Sequence, residues 1–383
     1  MKNCYLFTIL LLSLVSFAQS KPQYLLIDEQ ISKMPVRYSN STDNIAHYIN
    51  SNFKTADDKI RAVFYWTASN IVYDIDNMFT QSHIESSEDR IINTLRTRKG
   101  ICSNYTEIFN DIAIKVGVNT VIVSGYTKQG GKISSLSHAW CASEINGKWF
   151  VFDPTWGAGY IDKGRFVKKI DDNYYKVEPE KIIKSHMPYD YMWQFLNYPI
   201  NNKDFYEGNA QTNKSQKPFD YKYQILKWES LPEYDRLISS SKRIEESGIG
   251  NKMILNSLLY NKKKIEYLNQ KKEVNELTSV FELYQEGVTE LNKFIAYRNR
   301  QFRPLNSDDE LQRMILSPYN KLLICKESLR KLDNGSEKNR ANINSLKKSL
   351  DAALRMTNEH KSFVMQYLSK SRNVRETLFF KQT

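Results

Sequence analysis

The sequence predicts an α+β domain built on an antiparallel sheet, followed by an all-helical region. Three observations carry that prediction. Asn146-Gly147 joins two β-like runs, residues 137–145 and 148–156, and this dipeptide is the strongest short signal for a two-residue hairpin. Just upstream, a helical pattern with Tyr105, Ile108, Phe109, Ile112 and Val116 on its apolar face precedes a β-branched run at residues 118–124. Past about residue 215 the strand patterns stop, and Val274, Leu277, Phe281, Tyr284, Val288, Leu291 and Ile295 alternate spacings of three and four, a heptad seam.

The elements follow in order. Lys2 precedes an apolar run from Cys4 to Phe17, and Ser16 and Ala18 supply small residues at signal-peptidase spacing. The run is shorter than the roughly 20 residues of a membrane span. Residues 1–18 are therefore expected to be a secretory signal cleaved near Ala18, with an uncleaved anchor as the alternative. The expected location is periplasmic or extracellular, with no stable membrane insertion. Residues 19–55 read as irregular with one short helix at 44–53. A stronger helix is expected over 55–72, capped by Thr55 or Asp57, with Ile60, Val63, Phe64 and Thr67 at helical spacing. Residues 75–99 read as loop with a short helix at 90–95. Gly117 sits where a helix C-cap glycine belongs, Gly125 ends the strand at 118–124, and Gly130-Gly131 lie in a turn. Residues 201–220 read as a linker. The expected domains are thus 19–215 and 222–383. The second is read as an antiparallel helical bundle, with Pro232 and Ser317-Pro318 at helix starts and Gly248 and Asn334-Gly335 at stops.

Composition narrows the function. The chain has 383 residues and is 41% hydrophobic, enough for two ordinary cores. Without the signal, Cys102, Cys141 and Cys325 remain, too few for a disulfide framework and odd in number. The net charge is +12 and uneven. Residues 201–383 hold 33 Lys and Arg against 23 Asp and Glu, while residues 1–200 hold 22 against 20. A solvated Lys-rich helical surface accounts for this excess; a protein or an anionic envelope polymer is the partner it would otherwise suit. No aromatic-basic interleaving or nucleic-acid motif accompanies it, so no nucleic-acid partner is expected.

One constellation carries chemistry. A thiol is nucleophilic only as a thiolate, and a helix N-terminus favours that form. Cys102 stands at such a start, after Gly100-Ile101. It needs a base, and the base needs a partner that fixes its tautomer. If Asn146-Gly147 is a two-residue turn, Ile145 faces Lys148, Trp140 faces Asp153 and His138 faces Thr155. His138 and Asp153 are then diagonal neighbours on one face, in side-chain reach. Cys141, three residues from His138, points to the opposite face and reads as a buried structural thiol. Cys325 lies in an apolar helical stretch and reads as core.

These residues also carry a resemblance. Lys99-Gly-Ile-Cys-Ser-Asn-Tyr105, Ser124-Gly-Tyr126, Ser137-His-Ala-Trp140 and Trp149-Phe-Val-Phe-Asp-Pro-Thr-Trp156 resemble the transglutaminase-like superfamily. Trp66 and Asn70-Ile-Val-Tyr-Asp74 look like its upstream helix, and the resemblance spans about residues 55–160. His186-Met-Pro-Tyr-Asp190 and Trp193-Gln-Phe-Leu-Asn-Tyr-Pro199 look like a downstream segment of some bacterial members. The resemblance implies a papain-like core with a nucleophile helix and a triad of Cys102, His138 and Asp153. It also implies acyl transfer through a thioester to water or an amine, on a protein or peptide substrate. Trp66, Tyr73, Trp140 and Trp156 are the candidates for the oxyanion or substrate cleft. Cys141 departs from the pattern, standing where the family often has Asn.

No cofactor and no metal are expected: there is no His-Glu-x-x-His and no paired Cys-x-x-Cys. His47, His83, His186 and His360 read as surface or structural. The alternative to an exported cysteine peptidase, amidase or transglutaminase-type enzyme is a silent scaffold whose helices bind a partner.

Overall fold

The structure is a computed structural model and describes residues 22–79, 86–209, 215, 217–332, 337 and 339–380. The expected signal segment, His83 and the Asn334-Gly335 stop lie outside the described residues. The chain forms two compact units, residues 1–262 and 263–383.

Among the described residues, the first unit begins with the helices α1 (Pro22–Ser32), α2 (Thr42–Asn52) and α3 (Ala56–Asn70). Only the latter two were legible. α1 buries Ile27 and Ile31 one turn apart. α3 starts as expected, with Thr55 Oγ1 accepting from the Asp58 N–H at 3.1 Å. Its Ile60, Val63, Phe64 and Trp66 are fully buried, each contributing about 1.5–3 kcal/mol by leaving water. Arg61 is buried among them. Its Nε donates to Asp28 of α1 at 2.8 Å and its Nη1 to Asp172 at 2.6 Å. Tyr24 and Tyr175 flank the guanidinium at 5.0 and 4.7 Å.

Next come β1 (Val72–Tyr73), α4 (Ser87–Thr97), β2 (Lys99–Gly100) and α5 (Cys102–Lys115). β1 and β2 pair in parallel, Tyr73 against Gly100. Gly117 closes α5 with a φ of +86°, the left-handed C-terminal glycine foreseen from the sequence.

The main sheet has four antiparallel strands in the order β5-β4-β3-β8: β3 (Thr120–Gln129), β4 (Lys132–Ile145), β5 (Lys148–Phe152) and β8 (His186–Pro188). Ile145 lies opposite Lys148 and Cys141 opposite Phe152, the register expected from Asn146-Gly147. β5 stops at Phe152 instead of running to residue 156. Pro154 has no N–H for the ladder, and the Asp153 N–H turns to the Tyr174 carbonyl at 3.0 Å. β3 runs past Gly125 to Gln129, so that glycine is mid-strand and not an end. Five strands escaped the sequence reading: β1, β2, the hairpin β6 (Gly159–Asp162) and β7 (Arg165–Lys168), and β8. Each is four residues or fewer, too short for a period-two pattern to stand out.

One face of the sheet, with Cys141, Ile145 and Phe152, packs on α2, α3 and α5. The other, with Val123, Trp140, Ala142 and Val151, meets Ile182, Met192, Phe195 and Ile225. Ile182 ends the short α6 (Pro179–Ile182), and α7 (Asn202–Glu207) sits inside the expected linker. α8 (Tyr221–Ser230) and α9 (Glu233–Ser247) were read as the start of the helical region, yet they lie in the first unit. Ile225 of α8 joins the Trp140 cluster and Ile244 of α9 packs with Met187. Arg243 of α9 makes a buried two-pronged pair with Asp190, at 2.6 and 2.7 Å. An apolar stripe shows that a helix face is covered, not what covers it.

The division falls within the long helix α10 (Lys252–Asn299). The second unit contains the rest of α10, α11 (Asp308–Lys331) and α12 (Arg340–Leu368). Val280 clusters with Leu322, Cys325 and Leu329, and Phe294 with Leu311 and Ile315. Rising numbers on α10 thus meet falling numbers on α11, an antiparallel arrangement. Ser317-Pro318 does not start a helix. Ser307 caps α11, accepting from the Glu310 N–H at 3.1 Å, and Pro318 is buried inside it. The heptad seam holds only in part: Leu291 is buried, while Val274 and Phe281 are 48% and 49% exposed. Val280, Phe294 and Tyr297 take the buried places, since a straight helix drifts from a strict seven-residue repeat. No helix of the described residues is long and apolar enough to cross a membrane.

Candidate active site

The site begins with how α5 starts. Ile101 is the N-cap in extended conformation, and the Asn104 side chain folds back to accept its N–H at 3.0 Å. Asn104 Nδ2 also donates to Thr94 of α4 at 2.8 Å. A Cβ on Gly100 would lie 2.4 Å from the Asn104 Cβ. Gly100 is therefore required by the turn that presents Cys102, a local packing reason beyond close approach of a substrate.

Cys102 is partly exposed and free. The His138 imidazole and the Ala139 N–H are its polar neighbours, each favouring the charged form of the sulfur. Burial alone would raise its pKa, but the bonded and charged His138 outweighs burial and lowers it. His138 Nε2 lies 2.7 Å from Asp153 Oδ2, so Nδ1 is the nitrogen that serves the sulfur. Burial disfavours the charged ring, yet Asp153 and Cys102 together push its pKa up to about 10. Asp153 is fully buried, and the two imidazoles beside it overcome burial and hold its pKa well below the usual range. The shifts of all three groups favour charge separation, with negative charge on the sulfur and positive charge on the ring that Asp153 anchors.

Asp153 is saturated. Oδ1 accepts the N–H groups of Thr155 and Trp156 at 2.9 and 3.0 Å. Oδ2 accepts from His138 and, at 3.1 Å, from His186 Nε2. His186 was read as surface or structural; it is buried at the centre of the site, with Ser185 Oγ 2.8 Å from its Nδ1. Sequence reasoning missed it because β8 pairs with β3, far from the hairpin in sequence, Thr127 opposite His186. Burial and the positive charge of His138 lower its pKa, outweighing its bond to Asp153.

Aromatic rings close the site. Trp156 lies 5.5 Å from the His138 ring and 4.7 Å from His186. Trp140 is buried edge-on to His186 at 5.0 Å. Tyr73 and Tyr189 are near enough to Cys102 for its charge to add to burial in pushing each phenol up to about 12. Trp66 is not in this cleft: it is buried in the core, with the Arg98 guanidinium 5.2 Å over its ring. Cys141 points the other way, its thiol 3.5 Å from the Thr106 carbonyl on α5.

Gly125 makes the crowding feasible. It lies opposite both His138 on β4 and Pro188 on β8. A Cβ there would come 2.1 Å from the Met187 carbonyl oxygen and 2.6 Å from the Trp140 ring.

His138, Asp153 and His186 also form a set of potential metal ligands, their atoms within 4.8 Å of one another. Ligands of a tetrahedral zinc, about 2.0–2.1 Å from the ion, sit about 3.3 Å apart. The 2.7 Å between His138 and Asp153 is a hydrogen-bond distance, and the cluster fits shared protons better than a cation.

Residues 43–154 match the family model "Transglutaminase-like superfamily". Kyphoscoliosis peptidase of Mus musculus is 29% identical over 167 residues, 42% of this chain and 24% of that protein. Hillarin of Drosophila melanogaster is 23% identical over 167 residues, 39% of this chain and 20% of that protein. The chain thus spans about a quarter of the length of these relatives. The crystal structure of a TGase aligns at 15% identity with a TM-score of 0.25, over 45% of this chain and 43% of that one, too distant to bear on the reading. With the motif positions of residues 99–156 on the hairpin and helix described above, the first unit carries the transglutaminase-like, papain-like core that the family match over residues 43–154 denotes.

Proposed function

We propose that the protein is a cysteine-dependent acyl-transfer enzyme, of peptidase, amidase or transglutaminase type, acting on a protein or peptide amide. One observation carries the reading: His138 Nε2 is 2.7 Å from the buried Asp153 carboxylate, and the same imidazole is the neighbour that lowers the Cys102 pKa. The Cys102 thiolate attacks the amide carbonyl, forming the carbon–sulfur bond. His138 Nδ1 gives its proton to the leaving amine as the carbon–nitrogen bond breaks, leaving a thioester. Water or a second amine then attacks, His138 takes its proton, and the thiolate departs. Asp153 keeps the ring oriented and stabilises its charged form.

The backbone N–H of Cys102 at the tip of α5 is one donor for the oxyanion. Tyr73 Oη, protonated across the working range, is the second that we assign. Trp156 and Trp140 support the two imidazoles rather than the acyl group.

The test uses the full chain with peptide-amide substrates and with amine incorporation into glutamine peptides. Cys102→Ala should remove on the order of a thousandfold or more of the rate, and an electrophile near pH 7 should label Cys102 before Cys141 or Cys325. Unchanged turnover in Cys102→Ala, with equal slow labelling of all three thiols, would sink the enzyme and leave the scaffold.

A further inference from the structure

We propose that His186 is a positioning residue of the same site: a neutral imidazole whose N–H shares the Asp153 oxygen with His138 and so limits how tightly Asp153 holds that ring. The inference rests on the acyl-transfer reading and adds a fourth member to it.

The geometry is specific. Both imidazoles use Nε2 on one oxygen, at 2.7 Å for His138 and 3.1 Å for His186, and their ring centres are 5.8 Å apart. The carboxylate cannot turn to separate them, because Oδ1 is held by two backbone N–H groups. Two adjacent imidazolium ions would repel, so one ring must be neutral. His138 is the ring that Cys102 and Asp153 both favour as the charged one; burial and that charge keep His186 uncharged. A neutral ring offers Asp153 a proton on Nε2 only if Nδ1 is an acceptor; Ser185 Oγ, 2.8 Å from Nδ1 against 3.2 Å from the Ile182 carbonyl, then gives its proton to the nearer nitrogen.

His186 is held rigidly. Trp140 and Trp156 meet it edge-on, and Tyr174 lies 6.3 Å from it. Its neighbours Met187 and Pro188 pair with Tyr126 and Gly125. The titratable groups around it and Asp153 are His138, Cys102, Tyr73, Tyr105, Cys141 and Tyr174. Burial, reinforced by Asp153, raises the last four of these, so they stay protonated through neutral pH.

The sign follows. Removing the His186 N–H leaves the whole Oδ2 charge to His138. The imidazolium is then held more tightly and is a poorer acid toward the leaving amine.

The test is the pH profile of Cys102 alkylation by iodoacetamide on the full chain, read with acyl-transfer turnover. His186→Phe keeps a ring and removes the donor. Its alkaline limb should move up by about half to one pH unit, with turnover about tenfold lower. His186→Gln keeps a neutral N–H donor and should stay near wild type. Ser185→Ala, at a half-buried position, should shift the limb less and in the same direction. An unmoved limb in His186→Phe, or equal shifts in the Phe and Gln variants, overturns the proposal. If His186→Phe does not fold, an unmoved limb in Ser185→Ala overturns it. A wild-type profile with no thiolate near neutral pH sinks the nucleophile reading itself, a different result from a normal wild type with unmoved variants.

Discussion

The two units of the chain bury polar groups in opposite ways. Among the described residues, every buried polar or charged side chain but one belongs to the first unit. They include Arg61, Asp153, His186, Asp190 and Arg243, bonded to partners distant in sequence. The exception, Thr357 on α12, bonds only to the Ala353 carbonyl one turn back. The second unit keeps its charge outside, in pairs such as Lys326–Asp351 and Lys321–Glu286. A buried polar group costs several kcal/mol unless it is satisfied. A unit that carries many has fixed the positions of its groups, which acyl transfer needs and helix packing does not.

The contrast can be broken at its strongest point first. Asp153→Asn keeps the side-chain shape but removes the charge that both imidazoles share. Turnover should fall by about ten-thousandfold with the protein still folded by circular dichroism; a fall below tenfold would mean that the carboxylate does not organise the site. Arg243→Ala comes next. It leaves Asp190 buried and uncompensated, and should cost about 3–5 kcal/mol in urea unfolding. Lys326→Ala, in an exposed pair of the second unit, should change stability by at most about 1 kcal/mol. Equal losses from the two would erase the distinction between the units. Tyr73→Phe should lower turnover by about a hundredfold while iodoacetamide labelling of Cys102 stays unchanged. A parallel loss of labelling would make Tyr73 a support of the thiolate instead of an oxyanion donor.

The comparison is sharpened further through pH. His138 is held above its ordinary value, so its contribution to folding is whole below about pH 6.5 and is lost as the pH rises through about 10. Asp153 is held below its ordinary value, so its contribution is whole above about pH 4 and is lost on further acidification. In the second unit, burial and Arg298 lower the pKa of His360. Its contribution is present above about pH 6.5 and fades as the pH falls. His138→Gln should flatten the alkaline limb of a stability profile, and His360→Gln the mild-acid limb. Swapped outcomes would reverse the assignment.

The sequence carried the hairpin side of the site and lost the rest for physical reasons. Asn146-Gly147 sets a two-residue turn and the turn sets the register as far as Cys141 and Phe152; the expected pairs Trp140–Asp153 and His138–Thr155 do not form, and Asp153 reaches His138 from just past the end of β5. Gly117 and Thr55 mark helix ends through their own backbone and side-chain chemistry. His186 was out of reach because its place depends on a three-residue strand docking on the far edge of β3. Residues 186–190 did stand out as a motif, yet the motif did not say where the imidazole goes. Trp66 looked like a cleft residue, but an aromatic at helical spacing is equally suited to a core, and here it is core. Pro318 looked like a start because proline suits first turns; α11 instead carries it in mid-course.

Gly125 has a consequence for anyone who would move this chemistry to another protein. Copying a cysteine, two histidines and an aspartate onto a new scaffold would not be enough. The strand running between the two histidine-bearing strands must be bare at one position, or an added methyl group would push them apart. A graft therefore has to begin from a gap in the host's side chains, and the reactive groups come second.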